Sequence, residues 1–510
     1  MQRFVVLVVA SSLFAAACLE TRLDRALKTP DQIQTLDHRS PYLKVHMKDG
    51  GLYLLSKWQV DGAKQQVSGE GDRLGLAREM IGSGPFAVAL SDVALLETNV
   101  LQRSPSAAAL AVITGVSVAV TAACIANPKA CFGSCPTFYI SNGKQAVLEA
   151  EGFSSSVAPS LEARDVDALY RFRPTSRDLI VTMKNEALET HVVRRVRLLA
   201  AKRPAGGRVL ATVDGEFREA TDLLPVEACH ADEGDCAAKV RAFDSDERFS
   251  TTNAEDLASR ELIELQLPAT DGPRGLVIAS RQTLASTYLF YQSLAWLGRS
   301  ASDAIAAFER ADATVGGGFT RLRAAVGGIE VIGETTSGEW VSAGDVREMG
   351  PLATDIFVVP LPAGATGRVR LRMARGHWRI DYLASARLGA SVEPVVIEPM
   401  SVTGTDRSQL THRPLTTRPR TTLPLTTLPG DVYTYTFRLP REAVHNELFL
   451  ESQGYYLEWM RDEWLSEENA ARAMQLVMNP EQLLRDVAPE FKKQEAGMEA
   501  LFWGSRYARR

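Results

Sequence analysis

The sequence predicts an α+β protein, mainly β. The expected parts are a small N-terminal β-domain, an apolar small-residue helix, two β-sandwich-like domains and a helical C-terminus. Three observations carry that expectation. Short alternating apolar runs are separated by Asp-Gly and Asn-Gly dipeptides, which supply the positive φ of tight hairpin turns. Helical periodicity appears at residues 282–313 and again near the C-terminus. The 510 residues exceed what one hydrophobic core can organise.

The first residues have the organisation of an export signal. Met1-Gln2-Arg3 is a positive start, and residues 4–14 form an apolar run too short to cross a bilayer. Ala15-Ala16-Ala17-Cys18 follows. Small residues leading directly into cysteine resemble the bacterial lipobox, although Ala15 stands where Leu is usual. The resemblance implies lipidation of Cys18 and removal of residues 1–17. An ordinary secretory signal cut near Ala17 is the alternative. Leu19, rather than Asp, follows the cysteine, which by the same resemblance points to the outer membrane. Residues 18–39 read as a polar tether.

Residues 40–100 form the small β-domain. Asp49-Gly50-Gly51 and Asp61-Gly62 divide alternating runs there, and residues 86–90 and 93–98 complete the sheet. The apolar segment, 104–126, carries no charge from Ala107 to Ala126, and Ala107, Ala111, Gly115, Ala119 and Ala123 recur every fourth residue. On a helix this spacing gives a flat face for close packing. The segment therefore reads as a membrane-inserted helix, a helix buried against the protein, or a pair of buried strands rich in valine.

A first β-sandwich is expected over 127–281, with an Asn142-Gly143 hairpin after Tyr139-Ile140-Ser141 and strands near 179–183 and 192–199. The helical segment 282–313 should stop at Gly316-Gly317-Gly318. A second sandwich follows over 320–450. Inside it, Pro414, Pro419, Pro424 and Pro429 mark three Pro-x-Thr-Thr-x units. Proline every fifth residue forbids a helix, so 414–430 reads as an extended strap, a spacer before anything else. Residues 451–510 read as helical, capped by Ser466, with an apolar face of Ala470, Met474 and Val477. Asn479-Pro480 and Pro489 should each restart the helix. This tail is expected to dock on the β-domain above it rather than on a membrane.

The net charge of −5 excludes the basic footprint of a nucleic-acid binder. Beyond Cys18 there are five cysteines. In an exported chain, Cys229 and Cys236 bracket a short loop and pair naturally, and Cys131 and Cys135 enclose a turn-forming triplet. Cys124 is left over. Cys131-x-x-x-Cys135-Pro136 also resembles the copper site of Sco-type chaperones, in which two thiolates hold a soft metal. Here the motif runs into a hairpin rather than a helix, so nothing local lowers a thiol pKa; a structural disulfide is the expected role. Glu186, Glu189 and His191 could be metal ligands, but in a strand only Glu189 and His191 share a face, and zinc wants three or four. The loop Asp232-Glu233-Gly234-Asp235 lacks the oxygen spacing of a calcium loop. Gly-x-Ser-x-Gly is absent. Tyr291, Trp296, Trp378, Trp459 and Trp464 read as core residues.

Four phrases are similar to phrases in a family of uncharacterised bacterial exported proteins. They are Cys131 to Tyr139, Glu186 to His191, Arg375 to Asp381, and Gly454 to Trp459. The resemblance covers most of the mature chain and implies shared architecture, with no activity attached. The expectation is a lipid-anchored envelope protein, probed against membrane lipid through acylated Cys18 and against an envelope protein partner. It would be no enzyme and would need no cofactor. The competing expectation is a periplasmic metal or thiol-redox protein using Cys131 and Cys135.

Overall fold

In a computed structural model, the described residues are 20–104 and 135–504, less 29, 48–51, 75–79, 142–145, 188, 302–303, 305–312, 348, 407–410, 414–424, 428–429, 442–444 and 459–466. Cys18, Cys124, Cys131, the 107–126 segment, Trp459, Trp464 and most of the proline strap therefore lie outside the described residues. Half of the structure is strand and a fifth is helix, an α+β chain that is mainly β. It divides into two compact units. One gathers residues 1–113, 292–320 and 457–478, and the other gathers 114–291, 321–456 and 479–510.

The first unit is built on a six-stranded antiparallel sheet. Its strands, in spatial order, are Glu20–Lys28, Val93–Ser104, Tyr42–Met47, Leu52–Asp61, Gln66–Leu74 and Met80–Ala89. Alternation buries Leu43, Val45, Leu55, Val67, Val88 and Leu96 on one face. A short 3-10 turn, Pro30–Thr35, lays Ile33 onto this core, with Leu36 just after it. On this sheet Lys44 and Glu97 stand directly opposite each other, buried, 3.3 Å apart. The tether expected over 18–39 is corrected here. Glu20–Lys28 pairs along its whole length with Val93–Ser104, from Glu20 opposite Ser104 to Lys28 opposite Leu96. The strand was missed because an edge strand of this composition shows little apolar alternation.

The second unit holds both sandwiches, but not in succession. Strands Thr137–Ser141, Ala146–Glu151 and Asp178–Lys184 share a sheet with Ser401–Asp406, Thr411–Arg413 and Val432–Arg438. Opposite them, Ala163–Ala168 and Glu189–Ala201 share a sheet with Val395–Ile397, Leu425–Thr427 and Glu447–Glu458. These two sheets enclose one core, including Phe138, Val181, Leu198, Phe437 and Leu450. Every strand between Arg208 and Ser391 belongs to the other pair of sheets. Those two enclose a separate core, with Ile263, Ile278, Leu371, Trp378 and Ile380. A third core, with Leu199, Phe449, Val277, Ala384 and Leu388, joins the inner sheets of the two sandwiches. One sandwich is thus inserted into the other, giving four stacked sheets. The expected boundaries, 127–281 and 320–450, are corrected to a host (137–201 with 395–458) and an insert (208–391).

Several local expectations also change. The helix Ala313–Val326 runs straight through Gly316-Gly317-Gly318, so the triplet does not end it. The tail read as helical from 451 opens with a strand, Glu447–Glu458, and the helices described in it are Ala470–Met478 and Pro480–Gly504. Ser466 lies outside the described residues, and Asn469 caps the first of these helices, its Oδ1 accepting Arg472 N at 3.1 Å. Its buried residue is Leu476, while Met474 is exposed. Asn479 caps the second, Pro480–Gly504, which carries Pro489 without a restart. This last helix buries Leu484, Val487, Phe491 and Phe502 within the second unit.

Candidate functional site

The strand pairing brings three of the four phrases singled out in the sequence together in the host sandwich, and the Arg375 to Asp381 phrase falls in the insert. Thr137–Ser141 pairs with Asp178–Lys184, so the turn before the first strand meets the loop after the second. Cys135 sits in that turn with φ +92° and is fully buried. Its N–H donates to Glu189 Oε1 at 2.5 Å. The same Oε1 lies 2.6 Å from His191 Nε2, and both side chains are buried. The strand period puts Glu189 and His191 on one face, as expected.

Glu186 is not on that strand at all; it lies in the preceding loop. Its Oε2 accepts hydrogen bonds from Thr137 Oγ1 at 2.8 Å and Tyr139 Oη at 2.6 Å. The Glu186 to His191 phrase therefore holds the Cys-Pro-Thr-Phe-Tyr phrase at three points. The Gly454 phrase joins from the next strand, with Tyr456 Oη donating to Ser154 O at 2.9 Å. Gly454 is required there, because a Cβ would come within 2.4 Å of Val192 O. Leu425–Thr427, from the last proline unit, pairs with His191 to Val193, and Thr427 Oγ1 accepts from Asn185 Nδ2 at 3.2 Å. Part of the strap is thus woven into the host sheet.

Behind Cys135 lies a seam of carboxyl groups between host and insert. Glu151 Oε1 is 3.3 Å from Cys135 Sγ, and its Oε2 accepts Leu352 N at 2.8 Å and Ala353 N at 3.2 Å. Asp165 Oδ2 accepts Phe153 N at 2.6 Å. Asp355, from the insert, accepts Ala168 N of the host at 3.0 Å and its neighbour Ile356 N at 2.7 Å. Asp167 lies between them. Burial pushes Asp165 up to about 6, against the pull of its backbone donors, and Glu151 adds to the rise. Burial likewise lifts Asp355 to about 8. Asp167 is held well above the carboxylate range by burial, then by Asp165 and Asp355. Among the described residues no arginine or lysine pairs with these three, so the folded chain favours their protonated forms.

The insert treats its charges differently. Cys229 and Cys236 are disulfide-bonded across the hairpin of His230 to Asp235. The loop once considered for calcium has its acids engaged. Asp232 pairs with Arg375, Glu233 with Arg248 at 2.7 Å, and Asp235 Oδ1 accepts Ala237 N at 2.9 Å. Arg248 also forks onto buried Glu261 at 2.8 and 3.0 Å. In the Arg375 to Asp381 phrase, His377 Nε2 lies 3.0 Å from Leu257 O, and burial pushes its pKa down to about 4. Arg379 pairs with Glu499 and lies 4.6–4.7 Å from the ring centres of Phe249, Phe502 and Trp503. Asp381 accepts Asp244 N at 3.1 Å and Ser245 N at 2.9 Å. These contacts anchor the C-terminal helix and two loops, and they are scaffolding.

Among the described residues no group of three or more His, Cys, Asp or Glu side chains could hold a metal ion. Cys135 meets a carboxylate at its sulfur, a poor neighbour for the thiolate that soft metals and redox chemistry require. Its expected disulfide partner, Cys131, lies outside the described residues, as do Cys18 and Cys124. The seam acids Glu151, Asp165, Asp167 and Asp355 were missed in the sequence. The one available signal was Asp165-x-Asp167, two acids on one face of a strand. No protein-family model, curated protein or solved structure matches the chain.

Proposed function

We propose that this chain is an exported, lipid-anchored protein of the bacterial cell envelope, at the outer membrane, whose folded part is a non-enzymatic structural or protein-binding component. The lipobox-like Ala15-Ala16-Ala17-Cys18 supports the anchor, and the Cys229–Cys236 disulfide suits an oxidising compartment. One observation carries the non-enzymatic reading. The groups that could do chemistry at the host end are buried or half-buried, and they bond to backbone N–H groups, to hydroxyls and to one another. Such bonds stiffen a scaffold, and the work falls to its surface. Exposed Val395 and Val396, on a short outer strand of the host sheet, are where an extended partner segment would pair.

Palmitate labelling in cells tests the anchor. Wild type should incorporate label and Cys18→Ala should not; equal labelling of both ends the proposal. Crosslinking in intact cells tests the surface role: a photoreactive residue at Val395 should trap an envelope protein that the same residue at a buried position does not.

A further inference from the structure

We propose that Arg173, Arg203 and Arg208 form a binding site for a phosphate monoester, where the insert leaves the host sandwich. The cluster lies in the folded part of the chain and does not depend on acylation of Cys18. Its centre is Glu447, the first residue of the strand Glu447–Glu458, with a side chain 1% exposed. Arg208, the first residue of the strand Arg208–Ala211, forks onto it. Its Nε donates to Oε2 and its Nη2 to Oε1, both at 2.6 Å. Arg203 Nε donates to the same Oε2 at 3.1 Å. Arg208 Nη2 also donates to Tyr170 O at 2.6 Å, and Arg173 Nη1 donates to that carbonyl at 2.8 Å. Three guanidiniums are thus strung on one carboxylate and one carbonyl.

One arginine is enough to satisfy Glu447 and to tie the first strand of the insert to the host. The other two bring mutual repulsion. Among the described residues Glu447 is the one carboxylate ion-paired with any of the three, so the cluster holds an excess of two positive charges. Burial, and then the charges of Arg208 and Arg203, push the pKa of Arg173 below its ordinary value. A phosphate monoester carries a charge of about −1.5 to −2 at neutral pH, which matches that excess. Glu451, four residues along the same strand, also gathers three arginines: Arg164, Arg195 and Arg197. There a second acid, Glu398, stands 3.6 Å from Arg197, so less charge is left over.

The donors needed for a ligand are open and held in place. Arg208 Nη1, both Nη atoms of Arg203, and Arg173 Nε and Nη2 have no hydrogen-bond partner among the described residues. The Arg203 and Arg208 side chains are 23% and 15% exposed, and none of their open nitrogens is shut off from solvent. Arg173 is exposed. The Arg208 guanidinium lies 3.6 Å from the Tyr170 ring centre, so stacking and the fork onto Glu447 together fix its plane. Arg173 and Arg203 each precede a proline, Pro174 and Pro204, which biases the backbone of both toward extended conformations. Planar guanidiniums pair with phosphate oxygens two bonds at a time, and groups already fixed lose little entropy on binding. The phosphate arrives either on a lipid headgroup or on a soluble monoester, and the cluster reads the group common to both.

Isothermal titration of the full-length chain in detergent, with phenyl phosphate and with benzoate, tests the site. Phenyl phosphate should bind, and benzoate, with the same ring and a single negative charge, should bind several-fold more weakly. Arg173→Gln and Arg203→Gln should each weaken phenyl phosphate about tenfold, the scale of one charge-assisted hydrogen bond. Their urea unfolding midpoints should stay at the wild-type value. Arg387→Gln removes an arginine paired with Asp222 elsewhere on the insert, and it should leave the affinity unchanged. Dihexanoyl phosphatidic acid separates the two sources: tighter binding than phenyl phosphate marks a lipid headgroup, and equal binding marks a soluble monoester. Either result supports the phosphate site. If Arg203→Gln lowers the unfolding midpoint, Arg173→Gln alone decides, because Arg173 bonds only to carbonyls of its own loop. Three results would each overturn the site: no binding of either phosphate, benzoate binding as tightly as phenyl phosphate, or full affinity in the folded Arg173→Gln variant.

Discussion

The interior of the insert and its seam with the host bury charge in opposite ways. In the insert, buried ions have ionic partners: Arg248 with Glu261, Arg281 with Glu247, and Arg379 with Glu499 inside three aromatic rings. At the seam, Asp165 and Asp167 of the host meet Asp355, and among the described residues no arginine or lysine pairs with these three. Paired charges are costly to break singly, because the survivor is left charged and dry. Unpaired acids avoid that cost by keeping a proton, and they become sensitive to pH instead. The insert is therefore the region that point substitutions damage most. The host seam is the region that solution conditions reach.

The largest expected effect is in the insert. Glu261→Ala leaves the Arg248 guanidinium, 3% exposed, with only the half-exposed Glu233. Loss of one member of a buried pair costs about 3–5 kcal/mol. Urea unfolding followed by tryptophan fluorescence measures it; a loss no greater than that of a surface substitution would show that the pair is not the insert's support. Next comes the disulfide. Cys229 and Cys236 are seven residues apart, and chain entropy for so short a loop predicts about 2–3 kcal/mol lost in the double serine variant. Reduction of the wild type should lower the unfolding midpoint by the same amount. In the host, Gly454→Ala forces a Cβ onto Val192 O and the Phe153 ring. Overpacking of this kind costs about 1–3 kcal/mol, and the same substitution at Gly497, which has open space around it, should cost far less.

What the sequence made legible follows from how local each signal is. The Cys229–Cys236 pair was readable because seven residues separate its halves. Most strands were readable from alternation, and Asn479 from its position before Pro480. The insertion of one sandwich into the other was not readable. Asp178–Lys184 pairs with Val432–Arg438 across some 250 residues, and no short window records that. Gly316-Gly317-Gly318 misled because glycine weakens a helix by only about 1 kcal/mol per residue, and burial or packing elsewhere can outweigh it. At the site, Glu189 and His191 were found as a pair by period two, whereas Glu151 and Asp355 gave no sign. Each looks like an ordinary strand-end acid until the fold places it against a distant loop.

The smallest expected effect separates the two regions most clearly, because its sign reverses. Asp165, Asp167 and Asp355 have folded pKa values above the unfolded value of 3.8, to about 6 for Asp165 and about 8 for Asp355. The folded state therefore holds protons that the unfolded chain releases. Their contribution is fully present below about pH 4 and lost as pH rises through 6 toward 8. Asp167→Asn keeps the shape, removes the ionisable group and supplies an N–H donor to its acidic neighbours. Stability at pH 8 should rise by about 1 kcal/mol, the scale of one pKa unit, with little change at pH 4. Glu233 of the insert is the counterexample. Burial raises its pKa, but hydrogen bonds from Arg248 and its own backbone N–H, together with the charges of Arg248 and Arg375, more than offset this and leave it lowered. Its contribution is present above about pH 4.5 and lost in acid, so Glu233→Gln should weaken the protein at pH 8 and leave it unchanged at low pH. Unfolding midpoints of the two variants across pH 4–8 should move in opposite directions. If Asp167→Asn is destabilising at pH 8, the seam is held by ionised carboxylates and the contrast between insert interior and seam is wrong.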